Sequence, residues 1–343
     1  MVDMLMPRFL LQLTLALLAA LTAAAAPAQE RRIVDTAYVV EAQKRGALLW
    51  DVRPEAEVRR GHIPGAINIG DPNVVLRNPN TEDFIAIPQI ERILGQAGID
   101  PARDIVIYGA RAATSAYFAH YTVQYFGGSG SRVYHDGIEG WRAAGQATAL
   151  ESPRQAAVAL KLKAAATNFA STADVVARGK DPAVQLIDAR TPREFAGEDI
   201  RAIRGGHIPG AINIPYEQNW VDPDTAQKLQ RREVRDNAGM SLKPQDSLRA
   251  LYAKLDPKKE TIVYCQSGVR AAETAAVLTE LGFSNVKVYD ASWLGYGNSL
   301  DLPANNAVFL NVGALNARIA GMQSRIEALE RDLAAARAQK PAP

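Results

Sequence analysis

The chain has 343 residues, a net charge of +2 and 48% hydrophobic content. That suits one large or two ordinary globular domains with proper cores, and the balanced charge excludes a basic nucleic-acid-binding surface. One cysteine and four histidines exclude a thiolate zinc site, no H-E-x-x-H is present, and neither metal nor cofactor is expected.

At the N-terminus, Arg8 precedes an apolar run from Phe9 to Leu21, then an alanine-rich stretch ending Ala26-Pro27-Ala28-Gln29. This is the pattern of a secretory signal over residues 1–28, cleaved after Ala28. The alternative is an uncleaved N-terminal membrane anchor, against which Gln12, Thr14 and the shortness of the run argue. Export places the protein in the periplasm or outside the cell, an oxidising space. A lone cysteine there cannot form an internal disulfide, so it is either inert or kept for chemistry.

The rest of the chain is organised as a repeat. Residues His62 to Ile69 read HIPGAINI, and His207 to Ile214 read the same. Upstream of each lies an apolar strand ending in Asp-x-Arg, with Asp51 and Arg53 in one copy and Asp188 and Arg190 in the other. Glu57 and Glu194 fall at the same offset from those aspartates. Further on, Ile105 to Tyr108 pairs with Thr261 to Tyr264, and Val133-Tyr134 with Val288-Tyr289. Short apolar strands alternating with helical stretches predict an α/β fold, two copies of a mainly parallel sheet flanked by helices. The copies span residues 29–147 and 166–305, joined by a linker over 148–165.

From residue 306 to 343 the pattern changes to a C-terminal helix. Val312, Leu315, Ile319, Met322, Ile326, Leu329 and Leu333 are spaced alternately three and four apart, a heptad stripe. Its first positions are mostly β-branched and its second positions Leu or Met, as in parallel two-stranded coils. A homodimer through Val312–Leu333 is the expectation. A helix packed on the body is the alternative.

The chemistry gathers at Cys265-Gln266-Ser267-Gly268-Val269-Arg270, between the strand Thr261–Tyr264 and a helix over Ala271 to Leu281. At such a strand-to-helix turn the free N–H groups of the helix converge and stabilise an anion, a thiolate included. A buried structural cysteine is the plainer reading. The glycine, serine and arginine beside Cys265 speak against it, being loop and anion-site residues.

Two copies of D-x-R and G-H-I-P-G-A-I-N-I, with a cysteine loop in the second, resemble tandem rhodanese domains over residues 31 to 305. The likeness is to the thiosulfate and 3-mercaptopyruvate sulfurtransferases. It implies that Cys265 takes a sulfane sulfur from a small anionic donor, forms a persulfide and passes the sulfur to cyanide, a thiol or another protein. In the first copy Gly109 stands where Cys265 does, and that loop is three residues shorter. That copy is therefore read as non-catalytic, supplying part of the wall of the site.

The donor is less sharply marked. The loop C-Q-S-G-V resembles the mercaptopyruvate type, C-G-S-G-V, more than the thiosulfate type, C-R-K-G-V. In the former, Ser267 would work with His62 and Asp51 as a proton relay. Against this, Arg270 stands where a small hydroxyl residue is usual, and Glu194 where a carboxylate-binding arginine is usual. Arg193 is one position away. Arg201 and Arg204 lie in an insertion, Gly197 to Gly205, that the first copy lacks, and either could supply positive charge at the mouth. Arg270 could instead pair with Glu194. The preferred reading is a thiosulfate-type donor, with mercaptopyruvate the alternative. A non-enzymatic sulfur carrier is a further alternative. A phosphatase would use a loop one residue longer, and a disulfide oxidoreductase a C-x-x-C.

Overall fold

The computed structural model describes residues 31–338 except 152, 154 and 166. The signal and anchor readings of residues 1–28 lie outside the described residues. Among the described residues, no helix is long and apolar enough to cross a membrane.

The first half contributes β1 (Ile33–Val34), β2 (Leu48–Asp51), β3 (Ile67–Asn68), β4 (Ile105–Tyr108) and β5 (Ser131–Tyr134). They pair in parallel in the order β1-β5-β4-β2-β3. The second half contributes β6 (Phe169–Ala170), β7 (Val184–Asp188), β8 (Arg204–His207), β9 (Ile212–Asn213), β10 (Glu260–Tyr264) and β11 (Val286–Tyr289). Without β8 these repeat the topology as β6-β11-β10-β7-β9. The central strands β2, β4 and β10 are buried along their whole length. Strands covered on both faces read as continuous apolar runs, and that is what made them legible.

The duplicated motifs brace each sheet in the same way. Arg53 folds back on Asp51 at 2.6–3.2 Å, and Arg190 on Asp188 at 2.6–3.1 Å. Asn68 donates to the carbonyls of Asp51 and Arg53, and Asn213 to those of Asp188 and Arg190. The Ile63 amide donates to the Tyr108 hydroxyl, and the Ile208 amide to that of Tyr264. HIPGAINI therefore ties a turn to the strand that precedes the loop. This demand is purely structural, which explains why both copies carry it.

Three helices bear on the site, and a fourth follows the second half. These are α1 (Pro72–Val75), capped by the Asp71 side chain, then α2 (Thr114–Tyr125), α3 (Val269–Glu280) and α4 (Val312–Ala338). Helices α2 and α3, one from each half, pack against each other. Ala116 and Ala119 on α2 and Ala272 and Ala276 on α3 all belong to one apolar cluster running through both halves. Separate clusters fill the far face of each sheet. Small side chains at this junction let the helices approach closely, so an enlarged one costs about 1–3 kcal/mol in overpacking.

Beyond the second half the chain forms an element that the sequence pattern does not announce. β12 (Asn305–Phe309) runs antiparallel to β8, before α4 starts at Val312. The long C-terminal helix follows as expected, but its stripe does not pack on the body: Val312, Ile319, Ile326 and Leu333 are all more than 40% exposed.

Candidate active site

Cys265 follows β10 directly and is 1% exposed, at the base of a cavity of about 460 Å³. The second half lines this cavity with the cysteine loop, Arg201 and Tyr216. The first half supplies Asn73, Val74, Asn78, Pro79, Glu82 and Thr114. A larger hollow of about 830 Å³, lined among others by Glu55, Arg59 and Gln96, carries no nucleophile.

The loop is held from outside by its own carbonyls. The carbonyl of Cys265 accepts from the Trp293 amide at 3.0 Å, and that of Gln266 from the Leu294 amide at 2.9 Å. The carbonyl of Ser267 accepts from Arg77 Nη1 at 2.6 Å. Ser292 Oγ accepts the amides of Cys265 (3.1 Å) and Gly268 (3.0 Å) while donating to the Tyr289 carbonyl. Gly268 has φ +81°, and a Cβ there would lie 2.4 Å from Asp290 Oδ1, so glycine is required twice over. The amides of Gln266, Ser267, Val269, Arg270 and Ala271 have no acceptor among the described residues. The last three open helix α3, where N–H groups are left over by helix geometry. With the carbonyls engaged and amides free, the loop is a cradle for negative charge at sulfur.

Arg270 ends the loop and is clamped, both Nη atoms donating to Glu194 at 2.8 Å. Burial pushes the Glu194 carboxyl up, but the hydrogen bonds and charge of Arg270 outweigh this and hold it down at about 2. Arg201 Nη1 reaches the same carboxylate at 3.4 Å, with its side chain still half exposed at the cavity mouth. Gln266 Nε2 donates to the Arg201 carbonyl, while Gln266 Oε1 is buried with no partner.

Several residues singled out from the sequence lie elsewhere. Among the described residues, no hydrogen bond links His62 or Asp51 to Ser267. The His62 ring nitrogens lie 3.2 Å from the carbonyls of Val58 and Glu151, and the Asp51 carboxylate is taken by Arg53. Neither residue lines the cavity. Asp188 and Arg190 are likewise paired with each other inside the sheet brace. Arg193 is exposed and lies 3.6 Å from Glu198. Arg204 is buried, its guanidinium donating to the carbonyls of Gly297, Ser299 and Leu302. These three carbonyls explain its burial without any substrate.

Arg77, Asp290 and Ser292, which shape the loop, escaped the sequence reading, as did Tyr216 and the lining residues of the first half. Arg77 belongs to the first half and is 3% exposed. Its Nη2 pairs with Asp290 at 3.0 Å, and its guanidinium stacks on Phe118. Ser292 has φ +48°, where the first copy places Gly137 at φ +53°. A serine at a position the other copy gives to glycine was the available signal.

The first copy's loop is three residues shorter and has no cysteine. The Gly109 carbonyl accepts from the Ile138 amide, and Arg111 is held by Asp136 and Glu139. A Cβ at Gly109 would lie 2.6 Å from that of Ala113.

Comparison with known proteins agrees with this geometry. The rhodanese-like domain model matches residues 35–144 and 171–299. The chain belongs to the rhodanese-like family, with two of its domains in tandem. It is 33% identical over 277 residues to the thiosulfate sulfurtransferase of Corynebacterium glutamicum, covering 77% of this chain and 83% of that protein. It is 31% identical over 268 residues to SseA of Mycobacterium tuberculosis, covering 75% and 81% respectively. Among solved structures, an anaerobic ergothioneine biosynthesis enzyme from Chlorobium limicola superposes with a TM-score of 0.68 at 21% identity, over 82% of this chain and 71% of that one. That last likeness is one of fold.

Proposed function

We propose that the protein is a sulfurtransferase moving a sulfane sulfur from thiosulfate, or a similar small anionic donor, to a thiophilic acceptor through a persulfide on Cys265. The Cys265 thiolate attacks the outer sulfur of thiosulfate, and the sulfur–sulfur bond breaks with its electron pair leaving on sulfite. Cyanide or a thiol then attacks the outer sulfur of the persulfide, and the Cys265 thiolate is released. Each intermediate is an anion at the same place, so a fixed set of dipoles serves every step.

The observation that carries this reading is the loop itself, with three consecutive carbonyls engaged outside and five amides left free around the only cysteine. The names of the curated relatives support the sulfur chemistry. The likeness of the loop to C-G-S-G-V keeps mercaptopyruvate as the alternative donor; the contacts of His62 with the Val58 and Glu151 carbonyls and of Asp51 with Arg53 lend no support to the Ser267–His62–Asp51 relay. The export reading of residues 1–28 places this chemistry in the periplasm or outside the cell.

Thiocyanate formation from thiosulfate and cyanide tests the reading, together with mass spectrometry of the protein after thiosulfate alone. The expected results are turnover that Cys265→Ser abolishes and one added sulfur on Cys265. Failure to load sulfur from thiosulfate, with loading from mercaptopyruvate, would overturn the donor assignment. Failure to load from either would leave a binding module.

A further inference from the structure

Helix α4 is 27 residues long and carries its apolar residues on one narrow line. Val312, Ile319, Ile326 and Leu333 occupy one position of a seven-residue repeat, and Leu315, Met322 and Leu329 the other. All seven are between 40 and 58% exposed. A stripe two residues wide in every seven is the seam of a coiled coil, narrower than the face a helix lays on a globular core. The helix also contains Gly321, which weakens an unsupported helix.

We infer that this stripe is covered by the α4 of a second copy of the chain, parallel and in register. The residues flanking the seam decide the orientation. In a parallel pair, the residue before each first seam position faces the partner residue five places further on. That sets Arg325 against Glu330, Asp332 against Arg337 and Arg318 against Gln323, each twice by symmetry. No like charges meet. Antiparallel pairings that cover the stripe bring Arg325 onto Arg325 or Arg318 of the other helix. The antiparallel pairing that avoids this slides the helices and leaves Val312 and Leu315 uncovered. Mostly β-branched residues at the first seam position, with Leu or Met at the second, favour two strands over three or four.

The inference is independent of the sulfur chemistry, since no α4 residue lines the Cys265 cavity. Light scattering on the full chain should give twice the chain mass, and Ile326→Lys should reduce it to the single-chain mass with sulfur transfer unchanged. Arg325→Glu should weaken the dimer, and Arg325→Glu with Glu330→Arg should restore it. In a Cys265→Ser background, Ala336→Cys lies at the second seam position and should oxidise to a covalent dimer. A single-chain or higher mass for the unaltered protein, or a dimer that survives Ile326→Lys, overturns the inference. A dimer that Ala336→Cys does not cross-link overturns the parallel arrangement.

Discussion

Arg77 Nη2 and Asp290 Oδ1 are 3.0 Å apart, and they belong to different halves of the molecule. Through its other Nη atom Arg77 also holds the carbonyl of Ser267, in the middle of the reactive loop. The half without a nucleophile thus fixes the conformation of the half that has one. Arg77→Met should lower kcat/KM for thiosulfate by about 10–100-fold, the range expected when a supporting contact lets a reactive group drift. It should also cost about 3 kcal/mol in urea denaturation, because Asp290 is left buried and unpaired. Alkylation of Cys265 separates the two effects, since a misplaced thiol still reacts.

Ser292 offers a reversal of the usual ranking of glycine and alanine. At φ +48° an alanine keeps the backbone strain and loses the hydroxyl, whereas glycine loses only the hydroxyl. Ser292→Gly should therefore be more stable than Ser292→Ala by about 1 kcal/mol. Both should transfer sulfur poorly, because the amides of Cys265 and Gly268 lose their shared acceptor. Equal thermal midpoints for the two variants would count against the strain.

For Glu194 the prediction concerns pH. Its carboxyl is held down at about 2 in the folded protein against an ordinary value of 4.5. A depressed acid contributes stability that is fully present above the unfolded value and lost as pH falls through the folded one. The stability gap between the protein and Glu194→Gln should be about 3 kcal/mol at pH 7, shrink below pH 4.5 and close near pH 2. A gap independent of pH would mean that Arg270 is held by shape alone.

A cysteine placed in the first copy should not create a second reactive site. Gly109→Cys puts a Cβ 2.6 Å from that of Ala113, in a loop three residues shorter than the one that carries Cys265. The expected outcome is a destabilised protein that takes up no additional sulfur by mass spectrometry.

The strands, the duplication and the cysteine loop were legible because each is written in contiguous residues. Buried parallel strands such as Ile105–Tyr108 are apolar throughout, and the repeat shows twice. The pairing of Arg270 with Glu194, left open by the sequence, is what the structure adopts. What could not be read were contacts fixed by the third dimension. Arg77 lies 190 positions from Ser267, and nothing local marks it as a partner. Reading His62 as a relay member drew on a motif present in both copies, and such a motif serves what both copies need, a braced sheet. The first copy needs no proton.

The cavity wall from Asn73 to Glu82 belongs to the half without the cysteine, and Arg77 in the same segment reaches the loop through the Ser267 carbonyl. The reactive loop and much of the wall around it are thereby written in separate stretches of chain. The wall can drift in sequence and present a different face to incoming acceptors while the sulfur-bearing loop stays as it is. Arg77 ties that segment to the loop, and Asn73 Oδ1 accepts from the same Nη1 that holds Ser267.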